Sequence, residues 1–523
     1  MQRGSRARGA GRGYCRALPS TLRPMPALPN RFPSRPPLLG LPPGPSLRAM
    51  CGLMLLAGGT GAPSAGAQVP PAGQPGTPLP TTIRTALAQA QLPADSLYLW
   101  IAPAGGGEAR LSHQAGQLAH PASLMKLVTS AAALQQLGRS FQWHTTLHLD
   151  GTPRQGVLAG SLHIKGGGDP KLVPERLWLL LRQVQQLGID EIRGDIVLDR
   201  SAYALPEIDP AAFDGEPLKP YNVRPDALLV NYKSITLGFR PDPARGVASV
   251  SAEPALAGWT PPDSVRLSDG PCNDWRAGLQ ADFSSPQRWR LTGSYPLACG
   301  ERNWPIAYNE PASYAARVIE AQWRALGGRL QGRVREGLVP AGLPETAAFL
   351  SPPLAEVMRD MNLHSNNQIA QQMLLALSPQ LPATFEAARQ PVANLLGAVG
   401  CDSAELRLDN GSGLSRDERI TPRCLGRWLQ WSWRQPWMPD LLGSLPLAGE
   451  GTARRAFSVA GRAHLKTGSL ANVAAIAGVV HGADGQRQVV VAMLNHPQAS
   501  RDGARQVLDA VLRWSVEEPT APR

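Results

Sequence analysis

From Thr81 onward the chain breaks into apolar stretches separated by polar and Gly/Pro-rich punctuation. Thr81 to Leu92 has helical spacing, Ser96 to Ala102 reads as a strand, Gly105 to Gly107 as a turn, and Ala109 to His113 as a strand pairing back in a hairpin. Pro121 to Leu134 is Ala-rich and apolar on every side, a buried helix with Pro near its first turn, ending near Gly138. From Phe141 to Asn303 the texture changes to short β-rich pieces such as Leu158 to Ile164, Asp195 to Leu198 and Ser234 to Phe239. Helical patterns return at Ser313 to Leu326, Leu354 to Met361 and Asn367 to Leu377, and the chain closes with strand-like runs Ala474 to His481 and Gln488 to Leu494 before an amphipathic helix, Ala504 to Ser515. This order predicts an α/β fold whose sheet is begun near the N-terminus and finished near the C-terminus. One domain then spans 68–141 and 304–523, with β-rich modules, 142–303, inserted between.

Composition changes the picture mainly at the N-terminus. The formal charge of the 523 residues is +12, but the first 67 hold nine Arg and no acidic residue, so only +3 remains beyond them. A nucleic-acid partner loses its support with that subtraction. Residues 1–46, rich in Pro, Arg and Gly, cannot bury a core and are expected to be disordered or untranslated, with Met25 as a later start. Arg48, the apolar run Ala49 to Ala57 and the small residues ending Ala65-Gly66-Ala67 follow the pattern of a cleaved secretory signal. The run is too short to span a bilayer. A soluble exported (periplasmic) protein is expected, associated with a membrane peripherally at most.

Beyond residue 67 four cysteines remain, Cys272, Cys299, Cys401 and Cys424, an even number that fits an oxidising compartment. Three pairings are open to them, as are four free thiols; the pairs nearest in sequence are favoured, Cys272 with Cys299 and Cys401 with Cys424. No Cys/His cluster has zinc spacing, His144 and His148 read as a strand edge, and nothing calls for a metal or cofactor. Only six of the 52 basic residues are Lys. In so Arg-rich a chain, a retained Lys points to a site needing an amine, which unlike a guanidinium can lose its proton near neutral pH.

Three short motifs carry chemistry. Ser123-Leu124-Met125-Lys126 places a hydroxyl and an amine three apart on one face of the apolar helix, where burial and nearby positive charge free the amine to take the serine proton. Ser365-Asn366-Asn367 lies in a polar break between two helices. Lys466-Thr467-Gly468-Ser469 opens a β-rich stretch, offering a cation and a hydroxyl to a carboxylate and, at Gly468, room for a substrate backbone along the strand. Each is weak alone, but the ordered set S-x-x-K, S-x-N, K-T-G is specific.

On these motifs the chain resembles the penicillin-binding proteins and serine β-lactamases. Gly167-Gly168-Asp169-Pro170, Gly194 to Asp199, Tyr221-Asn222, Asn231-Tyr232 and Asp409 to Arg416 narrow the resemblance, over residues 80 to 515, to the D-alanyl-D-alanine carboxypeptidase/endopeptidase family of penicillin-binding protein 4 type. It implies a transpeptidase-like five-stranded antiparallel sheet flanked by helices. It also implies an enzyme acting on peptidoglycan stem peptides through an acyl-serine and acylated by β-lactams. Carried over, Ser123 is the nucleophile, Lys126 its base and Ser365 the relay to the leaving amine. Asn367 holds the acyl-side amide, Lys466 and Thr467 the terminal carboxylate, and the N–H groups of Ser123 and Ser469 the oxyanion. Asn366 stands where the related pattern has Asp and is expected to point away from the substrate.

Asp169 and the Asp409 to Arg416 run are read as architectural, although an acidic residue of the insert reaching the cleft would suit an amine on the stem peptide. Trp428, Trp431, Trp433 and Trp437 are read as packing rather than sugar-stacking residues. Two other functions bear on the same motifs. A β-lactamase needs a deacylating E-x-x-x-N segment that does not stand between Ser123 and Ser365, and a non-catalytic scaffold would have no use for the complete catalytic set.

Overall fold

The computed structural model describes residues 78–518; the leader and signal segment expected at 1–67 lies outside them. The central sheet is formed by Leu97–Pro103 (β1), Leu111–His113 (β2), Ala463–Leu470 (β3), Val473–His481 (β4) and Arg487–Asn495 (β5). They are ordered β2-β1-β5-β4-β3, antiparallel throughout. The two ends of the chain thus meet along β1 and β5, where Leu97 pairs with Leu494 and Ile101 with Val490.

Helices cover both faces. Thr81–Gln89 (α1) and Asp502–Glu517 (α6) bury Ile83, Leu87, Val507 and Val511 against one face, together with Leu99, Ile476 and Val490. Met125–Leu137 (α2), Leu354–His364 (α3), Asn367–Leu375 (α4) and Pro422–Trp433 (α5) close the other. With both faces covered, β4 and β5 read as near-continuous apolar runs rather than alternating ones. Helix α5 crosses β1 at Gly426, where a Cβ would lie 2.1 Å from the Trp100 ring.

The insert begins where Trp143 still packs in the first core and Leu147 already belongs to a second. Its end corrects the expected boundary at 303, which falls inside the strand Arg302–Ala307 paired to Ser234–Asp242. The helix Pro311–Ala325 buries Tyr314, Val318, Ile319 and Trp323 in the second core. The strands Val334–Glu336 and Ala347–Leu350 then join insert strands, and the chain returns to the first core at Leu354. An amphipathic helix fits either core, so periodicity alone could not assign it. The expected single strand Leu158 to Ile164 splits at Gly160, whose position for a Cβ is filled by the Asp150 carbonyl, 1.8 Å away. Val157–Leu158 and Leu162–Lys165 join different sheets. His144–Leu149 is not an edge, since strands flank it on both sides, and Pro174–Gln186 adds a helix to a region read as β-rich. Both sequence-local disulfides are formed. No helix among the described residues is long and apolar enough to cross a membrane.

Candidate active site

The turn ahead of α2 presents Ser123. Ala122 takes φ +46°, and the 3-10 turn Ala122–Leu124 leads into the helix, so that Lys126 stands one turn beyond the hydroxyl. Lys126 is fully buried, and its Nζ lies 3.0 Å from Ser123 Oγ, 2.7 Å from Asn367 Oδ1 and against the Ser412 carbonyl. Burial first, and the charge of Lys466 second, push this amine well below the ordinary lysine range, with Glu418 opposing. The two carbonyl oxygens can only accept. A neutral amine therefore spends both N–H groups on Asn367 and Ser412 and turns its lone pair to the Ser123 hydroxyl.

Ser365 caps α3 in the left-handed region, φ +56°, ψ 37°. Asn366 follows as the N-cap of α4, its Oδ1 accepting from Ile369 N at 2.9 Å. This accounts for Asn at the middle of the motif: the position caps the helix that delivers Asn367, a task Asn and Asp perform equally. Lys466, also fully buried, donates from Nζ to Ser365 Oγ at 2.8 Å and to the Thr467 carbonyl at 2.8 Å, and burial pulls it down to about 7. The site thus holds two Ser/Lys couples.

At Gly468 a Cβ would meet Pro121 O at 2.8 Å and Ser123 N at 3.1 Å, so the missing side chain lets β3 pack against the turn that carries Ser123. The cleft itself, about 760 Å³, is lined by Ser123, Ser365, Asn367, Ser469, and by Asp214 and Tyr221 of the insert. Thr467 does not line it. With Gly468 and Ser469, Thr467 borders a second cavity of about 640 Å³ that includes His364, Arg454, Arg455 and Arg505.

Three contributors escaped sequence reasoning. Asp214, not Asp169, is the insert carboxylate in the cleft: burial works against its charge, but hydrogen bonds from Tyr221 Oη at 2.8 Å and Asn222 Nδ2 at 2.7 Å prevail and hold it below the usual carboxylate range. Asp169 is buried away from the cleft lining, accepts from Lys171 N, and is pushed up to about 6 by burial. His120 accepts from Ala122 N at Nδ1, 3.0 Å, and contacts the Ser415 carbonyl through Nε2, 2.8 Å, which fixes the Nε2–H tautomer ahead of Ser123. The run from Asp409 to Arg416, read as architecture, supplies the Ser412 carbonyl to Lys126. Trp428 is fully buried, its Nε1 donating to Leu127 O.

A two-sided antiparallel sheet with a serine and an amine at the start of a buried helix, facing a second couple made by Lys466 of the edge strand and Ser365 at a helix end, defines the acyl-serine, penicillin-recognising class of enzymes. Residues 79–516 match the D-Ala-D-Ala carboxypeptidase 3 (S13) family, and the chain belongs to it. It is accordingly a serine-type D-Ala-D-Ala carboxypeptidase, an enzyme of peptidoglycan. It is similar to a D-alanyl-D-alanine carboxypeptidase of an Actinomadura species, 29% identical over 406 residues covering 73% of this chain and 74% of the relative. To D-alanyl-D-alanine carboxypeptidase DacB of Haemophilus influenzae it is 26% identical over 389 residues, 72% and 80% of the two chains. Among solved structures, penicillin binding protein 4 (dacB) of H. influenzae shares the fold with a TM-score of 0.68 at 24% identity, over 82% of this chain and 97% of that one. The same protein complexed with a novel β-lactam superposes with a TM-score of 0.63, also at 24% identity, over 80% and 94%.

Proposed function

We propose that Ser123 attacks the carbonyl of the penultimate D-Ala of a stem peptide, its proton passing to the lone pair of Lys126. The observation that carries this reading is the saturation of Lys126 by Asn367 and Ser412, which leaves Ser123, among the described residues, to donate to the lone pair of the neutral amine. The N–H groups of Ser123 and Ser469 receive the oxyanion, a contribution of about 3 kcal/mol per donor in comparable sites. The C–N bond then breaks, and the leaving amine takes a proton through Ser365 from Lys466, whose value near 7 suits a group that gives and regains a proton at neutral pH. Asn367 binds the acyl-side amide by exchanging the bond that its Nδ2 makes with the Tyr221 carbonyl, 3.1 Å. Lys466 and Thr467 hold the terminal carboxylate. Water hydrolyses the acyl-serine in the second half-reaction, and a β-lactam ring opened by Ser123 leaves a lasting adduct at the same oxygen. Asp214 offers a carboxylate to an amine on the stem peptide. The work is done in the periplasm.

Treatment with benzylpenicillin followed by mass spectrometry tests this: one adduct on Ser123, absent from Ser123→Ala, is expected. Rapid turnover of the drug would mark a β-lactamase instead, and an unmodified wild type a scaffold.

One observation favours an endopeptidase activity in addition. The acyl-side residues Ser123 and Asn367 line one cavity and the carboxylate-side Thr467 the other, which is far larger than a leaving alanine needs and is bordered by three Arg. A longer, anionic leaving strand fits there, and release of monomers from a cross-linked muropeptide dimer is the test.

A further inference from the structure

The loop from Asp409 to Ser415 reaches the reacting groups through its carbonyls. Ser412 O accepts from Lys126 Nζ, and Gly411 O accepts from Thr129 Oγ1 at 2.7 Å, one turn further along α2. Gly413, at φ +85°, passes so close beneath the nucleophile turn that a Cβ would stand 1.9 Å from Ala122 O and 2.7 Å from Ser123 N. The contact tolerates no slack.

A loop that aims its carbonyls at a helix turns its N–H groups the other way, and here they converge on one side chain. Glu418 is fully buried, and its carboxylate accepts four backbone bonds. Asn410 N at 3.0 Å, Gly411 N at 2.7 Å and Asp409 N at 3.3 Å donate to Oε1, and Gly413 N at 2.7 Å donates to Oε2. Four donors converging on two oxygens call for the ionised form, since a carboxylic acid would set its own proton against one of them. No Lys or Arg forms an ion pair with it among the described residues.

We propose that Glu418 is a positioning residue for acyl transfer: its carboxylate fixes the Ser412 carbonyl against Lys126, and its charge sets the pH range over which Lys126 is free to take the Ser123 proton. The inference rests on the reading of Ser123 and Lys126 as nucleophile and base. The charged groups that share this environment are Lys126 on α2, Lys466 on β3, and Asp409, whose own charge is met by Arg389 at 2.7 Å; Arg416 and Arg419 flank the loop on the cleft side. Burial first, partly offset by the N–H donors, pushes Glu418 up to about 7, while burial first and Lys466 second lower Lys126 and the Glu418 charge opposes them, so the two groups are coupled. Removing the negative charge lowers Lys126 further, because an anion favours the ammonium.

The rate of acylation by a fluorescent penicillin, followed against pH, tests the proposal. For Glu418→Gln the rising limb should move to lower pH by about one unit, and the maximal rate should fall about tenfold as the loop loses one of its acceptors. Glu418→Asp, which keeps the charge but shortens the reach, should lose rate with the limb in place. A merely structural role would lower the rate of Glu418→Gln with the limb unmoved, and that result, or an unchanged profile, overturns the proposal. If Glu418→Gln does not fold, the wild type still decides. With only six lysines in the chain, the Cε resonance of Lys126 can be assigned by NMR and should titrate in two steps, the smaller reporting Glu418. A single step overturns the coupling. This titration needs no turnover, whereas a wild type that benzylpenicillin does not acylate would instead refute the assignment of Ser123 and Lys126.

Discussion

Ser123 Oγ and Lys126 Nζ stand 3.0 Å apart, and among the described residues hydrogen-bonded to that amine the serine is the one able to donate to it. The two partners that saturate the rest of Lys126 come from opposite ends of the fold's helical half, Asn367 at the start of α4 and Ser412 in the loop before α5. The Lys126 amine is therefore oriented by tertiary structure rather than by its own helix.

A guanidinium at position 126 cannot give up a proton, however deeply it is buried. Lys126→Arg should acylate with penicillin at least about a thousandfold more slowly than wild type, and raising the pH to 10 should not restore it. Stopped-flow fluorescence with a labelled penicillin measures both, and a recovery at high pH would place the base elsewhere.

Gly468→Ala introduces a methyl group 2.8 Å from the Pro121 carbonyl and 3.0 Å from the Ala122 Cβ. Because these atoms belong to the nucleophile turn, relief comes from moving β3 away from Ser123, which separates Ser469 N from Ser123 N. Acylation should slow by about 10- to 100-fold, since an oxyanion hole opened by a fraction of an ångström loses much of its effect. Melting temperature should fall by only a few degrees, in keeping with an overpacking cost of about 1–3 kcal/mol. A loss in substrate binding with none in the acylation step would show instead that Gly468 serves to make room for substrate.

What could be read from the sequence was what short spacing encodes. The Ser123/Lys126 couple is one helical turn, and the sheet's closing strands announce themselves as apolar runs, so both were legible. Lys466 and Ser365 were found as motifs, but their mutual hydrogen bond joins residues a hundred positions apart and has no local signature. Glu418 sits in an ordinary-looking Asp-Glu-Arg, and only the folding of the preceding loop back onto it makes it a hub. The packing of Gly468 against the Ser123 turn had no signature, because the alternation of a strand says that successive residues face opposite ways, not which way faces that turn. Asp214 stayed hidden for a similar reason: the Gly-Asp-Pro turn at Asp169 is conspicuous in sequence, whereas Asp214 owes its position to Tyr221 and Asn222 folding back on it.

The disulfide Cys401–Cys424 brackets the loop that carries Ser412 and Glu418, and Cys424 lies in the first turn of α5. Cross-linking residues 23 apart contributes about 3 kcal/mol on loop-closure grounds. Replacing both cysteines by Ala should lower the melting temperature and also slow acylation, because the segment holding Lys126 is released at both ends. The same exchange at Cys272 and Cys299, which lie in the insert's core, should lower stability with acylation unchanged. Thermal melts paired with acylation rates distinguish the two, and equal kinetic effects from both pairs would show that the bracket has no local influence.

Lys466 makes stability depend on pH in a direction opposite to that of a paired lysine. Its folded value near 7 lies below the ordinary lysine value of 10.5. Below pH 7 both folded and unfolded chains carry the proton, and the cost of burying the ammonium is fully present. Between 7 and about 10.4 the unfolded chain binds the proton and the folded chain does not, so stability rises with pH across that window. Lys466→Met removes the titrating group while keeping its length. The difference in melting temperature, wild type minus Lys466→Met, should therefore become more favourable to the wild type from pH 7 to pH 10 and be flat between pH 5 and pH 6. A difference that shrinks with rising pH would mean that Lys466 is held as a stabilised ammonium, and it would remove the proton donor assigned to Ser365.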